Sequence, residues 1–170
     1  MNIRRAVPED AAAIARIHVD TWRDTYAGVL PDHVLLNMSS TRERGGWSGS
    51  VLRGESVFVA QTVEAGIVGF GSCGPNRLRD LPCDGEIYTL YVAPGYQGHG
   101  FGKALMTRML AELTESGRRK ALVWVLRENP ARFFYQAMGG RRLAERNERL
   151  WETLIPQIAY YWTLPYAAGE

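Results

Sequence analysis

Apolar and polar residues alternate with two different periods along the chain, and these periods predict its helices and strands. From Ile14 to Tyr26 the apolar and aromatic residues recur at helical spacing, and Gly28 follows as a stop signal. Runs of β-branched and aromatic residues bounded by turn residues are typical of strands. Helices are predicted at 9–27, 32–38, 40–53, 101–117 and 130–138, and strands at 2–7, 56–62, 66–74, 86–94, 121–126, 141–147 and 155–164.

The segment 86–126 predicts the centre of the fold. The strand EIYTLYVAP leads through a glycine turn into a helix on which Leu105, Met109 and Leu113 share one face. The strand ALVWVL follows, and its continuous apolar run is typical of a strand covered on both sides. A strand, a crossover helix and a second strand form a right-handed unit. We therefore expect an α/β fold with a mixed (α+β) sheet, in which the two central strands are parallel or splayed near-parallel.

Length, charge and cysteine content exclude several classes of protein. The 170 residues fit one domain spanning 1–170. The near balance of 20 Lys and Arg against 18 Asp and Glu argues against a dedicated nucleic-acid binder. Two cysteines form neither a disulfide framework nor a zinc motif. Because the chain also has no signal-peptide core and no apolar run of about 18 residues, we expect a cytoplasmic protein without a membrane partner.

The glycine turn YQGHGFGK at 96–103 is the first candidate for a binding site. Gly98, Gly100 and Gly102 stand directly before a predicted helix, where free backbone N–H groups and the helix dipole favour a phosphate. The dinucleotide fingerprint fails because Lys103 stands where it needs glycine. A Walker loop fails as well, because it needs glycine at Gln97. The alternative is a turn that only joins a strand to a helix.

The pattern Q-x-x-G-x-G, formed by Gln97, Gly100 and Gly102 after the strand end YVAP, resembles the acetyl-CoA pyrophosphate loop of the GCN5-related N-acetyltransferase (GNAT) superfamily. The flanking segments extend the resemblance over 86–140. It implies a GNAT-like acyl-CoA N-acyltransferase fold, acetyl-CoA as co-substrate and no metal. The residues that the resemblance places at the cofactor are Leu90, Tyr91, Val92, Gln97, Gly98, His99, Gly100, Phe101, Gly102, Lys103, Asn129 and Tyr135.

The resemblance also implies an activity, which is transfer of the acetyl group to a primary amine of a small molecule, polyamine or peptide. Direct attack in a ternary complex is expected, because no cysteine lies in the cofactor motif. The backbone N–H of Val92 would donate to the thioester carbonyl. The alternative is a non-catalytic acyl-CoA-binding regulatory module of the same fold.

Two further side chains take catalytic roles from the resemblance. Tyr135 would be the general acid, since a phenol with a pKa near about 10 can protonate a thiolate of pKa about 8.5; the alternative is a packed aromatic residue. Glu86 would be the general base, acting through water if burial raises its pKa. The alternative for Glu86 is a solvated carboxylate at a strand start. Asn129 precedes Tyr135 by six residues, whereas seven is common in the family.

The acceptor side of the site is expected in residues 17–32, where Trp22 and Tyr26 share one helical face and are candidates for substrate binding. The alternative for both is core packing, and His18 is interpreted as a helix residue rather than a base. The charge of the acceptor stays open between two sets of residues. A cationic amine would suit Asp20, Asp24, Asp80 and Asp84, whereas an acidic one would suit Arg42, Arg77 and Arg79.

The C-terminal region is rich in aromatic residues, which leaves two interpretations. They would form either the core of the last strand or the surface of a homodimer, because aromatic residues are enriched in interface cores. The residues concerned are Trp151, Tyr160, Tyr161 and Trp162.

Overall fold

A computed structural model describes residues 1–79, 81–150 and 153–167 of the chain. Asp80 and Trp151, both named above, lie outside these residues. The helices are α1 (Ala11–Tyr26), α2 (Asp32–Asn37), α3 (Ser40–Leu52), α4 (Phe101–Glu115) and α5 (Ala131–Ala137). The strands are β1 (Asn2–Arg5), β2 (Ser56–Thr62), β3 (Gly66–Pro75), β4 (Gly85–Val92), β5 (Lys120–Leu126), β6 (Arg141–Leu150) and β7 (Thr153–Thr163).

Every predicted helix and strand is present, and the differences lie at their ends. The first strand stops at Arg5 instead of residue 7, because a 3₁₀ turn begins at Pro8. The Asp10 carboxylate fixes this turn, since it accepts a hydrogen bond from the backbone N–H of Val7 (2.8 Å) and pairs with the Arg4 guanidinium (2.6 Å). Strand β6 runs three residues beyond its predicted end, because its pairing with β7 continues as far as Leu150↔Thr153.

Hydrogen bonds join the seven strands in the order β1-β2-β3-β4-β5-β7-β6. Strands β4 and β5 pair in parallel from Gly85↔Ala121 to Ile87↔Val123, which is three pairs for an eight-residue strand. The other pairings described are antiparallel. This arrangement confirms the predicted mixed α/β sheet with its central βαβ segment.

The chain divides into two compact units, of which the first comprises Met1–Cys73 and Thr89–Met109. Its core includes Ile14 of α1, Val59 of β2 and Phe70 of β3. Glycine lets β3 lie close to its neighbours: a Cβ atom at Gly71 would come within 2.6 Å of the Met109 side chain. This close approach brings β3 against the third turn of α4 and against the Thr89 carbonyl of β4.

The second unit comprises Gly74–Tyr88 and the described residues from Leu110 onward. Strand β5 lies in its centre, paired with β4 on one edge and β7 on the other. Leu122 is fully buried and Trp162 is nearly so, as expected for strands covered on both sides. No helix in the described ranges has the length and apolar character needed to cross a membrane.

Candidate functional site

The glycine turn of the first unit presents its backbone to solvent. Residues 94–100 are exposed, and Gly98 and Gly100 have φ values of +78° and +86°, which favour glycine. Helix α4 begins directly afterwards, and the Ala104 N–H donates to the Gly100 carbonyl. The N–H groups of residues 101–103 precede this first helical hydrogen bond and therefore have no partner within the helix. The turn therefore offers donors and a positive helix end to an anion.

The side chain of Gln97 connects this turn to the end of β4. Its Nε2 donates to the Val92 carbonyl (3.1 Å), while its own backbone carbonyl lies 2.8 Å from His99 Nδ1. Phe101 is buried at the helix start, with its ring centroid 6.4 Å from that of Tyr96. The predicted residues Leu90 to Val92 and Gln97 to Lys103 therefore belong to one part of the first unit, in which Gln97 holds the loop in place.

Tyr91 points into a group of rings that we call the aromatic cluster: His18, Trp22, Trp47, Phe70 and Tyr91. The His18 ring stacks on Tyr91 with a centroid distance of 5.4 Å and an angle of 17°. The Trp22 Nε1 donates to the Tyr91 hydroxyl (3.0 Å). Trp47 and Phe70 meet His18 edge-on at 6.1 and 6.2 Å. The cluster joins helices α1 and α3 to the end of β4.

His18 has a polar environment inside this cluster. Its Nδ1 lies 3.3 Å from Glu43 Oε2 and 3.4 Å from Trp47 Nε1. Burial lowers the pKa of His18 below its ordinary value, and the Glu43 carboxylate opposes this in part. Burial also raises the pKa of Tyr91, against the hydrogen bond from Trp22. The sequence favoured a helix residue over a base for His18, and the four-residue spacing from His18 to Trp22 is the signal that both lie on one face of α1.

The two candidates for substrate binding differ in exposure. The Trp22 and Tyr26 rings meet edge-on at 4.7 Å, so they share a face as predicted. Tyr26 is 5% exposed, whereas Trp22 is partly exposed. Tyr26 is therefore a core residue, and its ring packs edge-on against the ring of Trp22.

Glu86 lies in the second unit, and its carboxylate is occupied. It is 2% exposed, so the solvated carboxylate considered as its alternative is wrong. Both oxygens accept from Arg77: Oε1 from Nη2 at 2.7 Å, and Oε2 from the backbone N–H at 3.0 Å and from Nε at 3.2 Å. The guanidinium also stacks on the Tyr88 ring at 4.4 Å. Glu86 thus anchors the segment before β4.

These contacts change the charges available to an acceptor. Arg77, considered for an acidic acceptor, is paired with Glu86, and this hydrogen bond raises the Arg77 pKa. Asp84, considered for a cationic one, accepts from the backbone N–H groups of Arg119 and Lys120 at 3.0 Å. Burial acts to raise the pKa of Asp84, but these hydrogen bonds outweigh it and lower the pKa. Asp84 therefore stabilises the start of β5, whereas Asp20 and Asp24 are exposed on α1.

The second unit also holds Asn129 and Tyr135. The Asn129 Oδ1 accepts from the Ala131 N–H (2.9 Å) at the start of α5, so this oxygen serves the local turn. Tyr135 is 5% exposed, and its ring lies 6.1 Å from that of Trp162. The neighbouring Phe133 is 57% exposed, so Tyr135 is the residue of this aromatic run that faces inward.

Comparison with known proteins places these features in a family. A model of the acetyltransferase (GNAT) domain matches residues 53–139. The Bacillus subtilis protein named uncharacterized N-acetyltransferase YuaI is 34% identical over 162 residues, which cover 95% of this chain and 92% of the relative.

Solved structures share the fold at lower identity. A GCN5-related N-acetyltransferase from Rhodopseudomonas palustris has a TM-score of 0.76 at 22% identity, covering 96% of this chain and 95% of its own. The acetyltransferase yncA from Salmonella typhimurium, solved with its cofactor acetyl-CoA, has a TM-score of 0.73 at 21% identity and covers 100% and 97% of the two chains. The domain match and the Bacillus relative show that the chain belongs to the GNAT family and is an N-acetyltransferase, as its sequence pattern predicted.

Proposed function

We propose that residues 1–170 form one GNAT domain that transfers the acetyl group of acetyl-CoA directly to a primary amine in a ternary complex. The observation that carries this proposal is the exposed glycine turn before α4, whose backbone donors suit a pyrophosphate. Acetyl-CoA supplies the acetyl group as a thioester. The predicted homodimer and the cytoplasmic location stay predictions.

The residues present fit such a cofactor. The left-handed Gly98 and Gly100 carry no side chain that would keep a phosphate from the backbone, and both lie in the exposed part of the turn. Lys103 adds an exposed cation in the first turn of α4. The turn is fixed to the last carbonyl of β4 through Gln97, so its donors are preorganised. In this proposal the N–H groups of 98–103 hold the pyrophosphate, and Leu90 and Tyr91 pair with the pantetheine through their backbone.

Two groups of the chain carry the proposed chemistry. The backbone N–H of Val92 donates to the thioester carbonyl oxygen, where charge develops during the reaction. The Tyr135 hydroxyl gives its proton to the departing thiolate. Tyr135 is 5% exposed and lies against Trp162, so Tyr135→Phe is needed to decide between this role and the packed aromatic residue. The amide of Asn129 is proposed to contact the pantetheine.

The predicted role of Glu86 as general base has less support. A base must be able to take a proton, and this carboxylate accepts three hydrogen bonds from Arg77. These bonds occupy both oxygens, so neither is free to receive a proton from the acceptor. The role stays a prediction, and Glu86→Gln decides it in the experiment described in the Discussion.

Binding of acetyl-CoA tests the first half of the proposal. Saturating acetyl-CoA should raise the melting temperature of the protein. At a hundredfold excess over Kd, binding adds about 2.7 kcal/mol to the free energy of unfolding. Gly98→Ala should weaken this shift, because it adds a methyl group and strain where the phosphate approaches. Gly117→Ala is the matched control: its φ of +80° is equally left-handed and its Cβ also meets nothing within 4 Å, but it lies after α4. An unchanged melting temperature with acetyl-CoA would refute the proposal.

Measurements of turnover test the proposed role of Tyr135 as the general acid. Release of free thiol from acetyl-CoA in the presence of primary amines should fall about 100-fold or more in Tyr135→Phe, with little change in the Kd of acetyl-CoA. Tyr160→Phe is the control, because Tyr160 is also buried and its hydroxyl accepts from Gln136 (3.1 Å). Equal rates for the two variants would remove Tyr135 from the mechanism.

A further inference from the structure

The two ring nitrogens of His18 have different surroundings. Its side chain is 17% exposed, and its Nδ1 faces Glu43 and Trp47. Its Nε2 has no hydrogen-bond partner among the described residues. Three polar side-chain atoms among the described residues are both fully buried and without a hydrogen-bond partner: Thr21 Oγ1, Arg118 Nε and Trp124 Nε1. Because His18 Nε2 is not one of them, it is not fully buried. The Nε2 atom is therefore accessible to solvent.

The two neighbours of Nδ1 favour opposite tautomers. The Trp47 indole can only donate, which requires a lone pair on Nδ1 and puts the hydrogen on Nε2. The Glu43 carboxylate accepts, which puts the hydrogen on Nδ1 and leaves the lone pair on Nε2. Trp47 donates a hydrogen bond to Nδ1 at 3.4 Å, and Glu43 makes an ion pair with it at 3.3 Å. The Glu43 contact is assisted by charge and gains strength when the ring takes up a proton, so in the proposal below it orients the ring. The arrangement resembles a base oriented by a carboxylate behind it.

The rings around His18 suit a cationic ligand. Trp22 and Tyr91 are both partly exposed and are linked through the Trp22 N–H. Aromatic faces attract an ammonium group electrostatically, through the negative charge of the ring face. The titratable groups that face His18 are Glu43 from α3 and Tyr91 from β4, with no lysine or arginine contact to the ring among the described residues. The site is therefore suited to an amine and not to an acidic acceptor.

We propose that His18 is the base that takes the proton of the acceptor, that Glu43 positions it, and that the acceptor is a cationic primary amine received against Trp22 and Tyr91. This inference rests on the proposed function and adds the substrate class and the base.

In the proposed reaction the acceptor gives up two protons and the thiolate takes up one. The ammonium loses one proton to solvent on becoming a neutral amine, and the amine nitrogen bonds to the thioester carbonyl carbon. The bond from that carbon to sulfur breaks, one of the two protons on the attacking nitrogen passes to His18 Nε2, and the other stays on the product amide. The thiolate takes up one proton, for which Tyr135 is the proposed donor. The imidazolium pairs with Glu43 until it returns its proton to solvent, from which Tyr135 regains its own.

The pH dependence has a defined sign. Because burial holds the pKa of His18 below its ordinary value, the imidazole is neutral at pH 7 and able to accept a proton. Acid protonates it, so kcat should fall as the pH drops through this pKa, below about 6.5. Glu43→Gln removes the charge that raises the His18 pKa, so this fall in kcat should move to lower pH.

The imidazole itself is tested without acceptor or acetyl-CoA. The chain has three histidines, so ¹⁵N NMR of the rings assigns His18 by its loss in His18→Asn. We expect hydrogen on Nδ1 at pH 7 and a titration midpoint below 6.5. Hydrogen on Nε2, or a midpoint above about 7, would overturn the proposed base. Addition of spermidine or tyramine should shift the His18 signals, and unchanged signals with both would overturn the proposed acceptor site.

Kinetics tests the role in catalysis, with the same two amines as probes. His18→Asn removes Nε2 but keeps a polar atom near the position of Nδ1, and should lower kcat about 100-fold with the acetyl-CoA melting shift unchanged. Glu43→Gln should lower kcat about tenfold. The control His33→Asn, on the exposed face of α2, should leave kcat unchanged. A wild-type kcat in His18→Asn would overturn the inference. Absence of thiol release from the wild-type protein would instead count against the proposed function. In that case the NMR experiment still decides the tautomer and the protonation of His18.

Discussion

Replacing Arg77 with methionine should destabilise the protein more than replacing its partner Glu86 with glutamine. The two side chains differ in exposure: the guanidinium is 63% exposed and the carboxylate is 3% exposed. Arg77→Met leaves a buried carboxylate with only the backbone N–H of residue 77, and an uncompensated buried charge costs about 3–5 kcal/mol. Glu86→Gln leaves a guanidinium that water can solvate, so it costs the charged hydrogen bonds, about 1.5–3 kcal/mol.

Urea unfolding at pH 7 measures the free energy of unfolding of each variant. In thermal unfolding, the melting temperature of Arg77→Met should lie about 6 °C or more below that of the wild type. Glu55→Gln is the control, because its pair with Arg53 is exposed on both sides and should change stability by at most about 1 kcal/mol. Equal losses in the two pair variants would refute the reasoning from exposure. The same Glu86→Gln protein should keep kcat within about threefold, whereas a loss of about 100-fold would support the predicted base.

Three further predictions concern stability, each measured by urea unfolding. Gly71→Ala should cost about 1–3 kcal/mol, because its Cβ would lie 2.6 Å from the fully buried side chain of Met109 and 3.1 Å from the backbone carbonyl of Thr89, and an unchanged stability would contradict this. Gly45→Ala should stabilise the protein by about 0.5–1 kcal/mol, since it lies exposed within α3 with nothing within 4 Å of its Cβ. Burial acts to raise the pKa of Asp10, but hydrogen bonds with Arg4 and a backbone N–H lower it, so the advantage of the wild type over Asp10→Asn should be complete above about pH 4 and shrink as the pH falls below it.

The secondary structure was predictable because each element carries its own period. The run from Lys120 to Leu126 is apolar at every position after the first, and five of those six residues are buried. Helix α3 was predicted in spite of two adjacent glycines, and it forms because Trp47 and Val51 pack against the core of the first unit. Local pattern and burial agree in these elements.

The environment of the candidate residues was not predictable in the same way. The pairing of Glu86 with Arg77 spans nine residues and depends on how the segment before β4 folds back onto the strand. The contact between His18 and Glu43 depends on the packing of α1 on α3, and that between Trp22 and Tyr91 joins residues 69 positions apart. A one-dimensional period says which face of an element is buried, but not which side chain of another element it meets.

Glu86 was predicted as the base and Glu43 is proposed to position the base, and the two carboxylates differ in when they face a positive charge. Glu86 already pairs with Arg77 in the resting protein, so this ion pair should stabilise the ground state and the transition state equally and leave the rate of acetyl transfer unchanged. Glu43 faces a neutral His18 at rest and a cation only after the imidazole has accepted a proton. An interaction that strengthens as the reaction proceeds lowers the barrier. The effect on kcat should therefore decrease in the order His18→Asn, Glu43→Gln, Glu86→Gln, while Glu86→Gln lowers stability more than Glu43→Gln, because the side chain of Glu43 is 31% exposed.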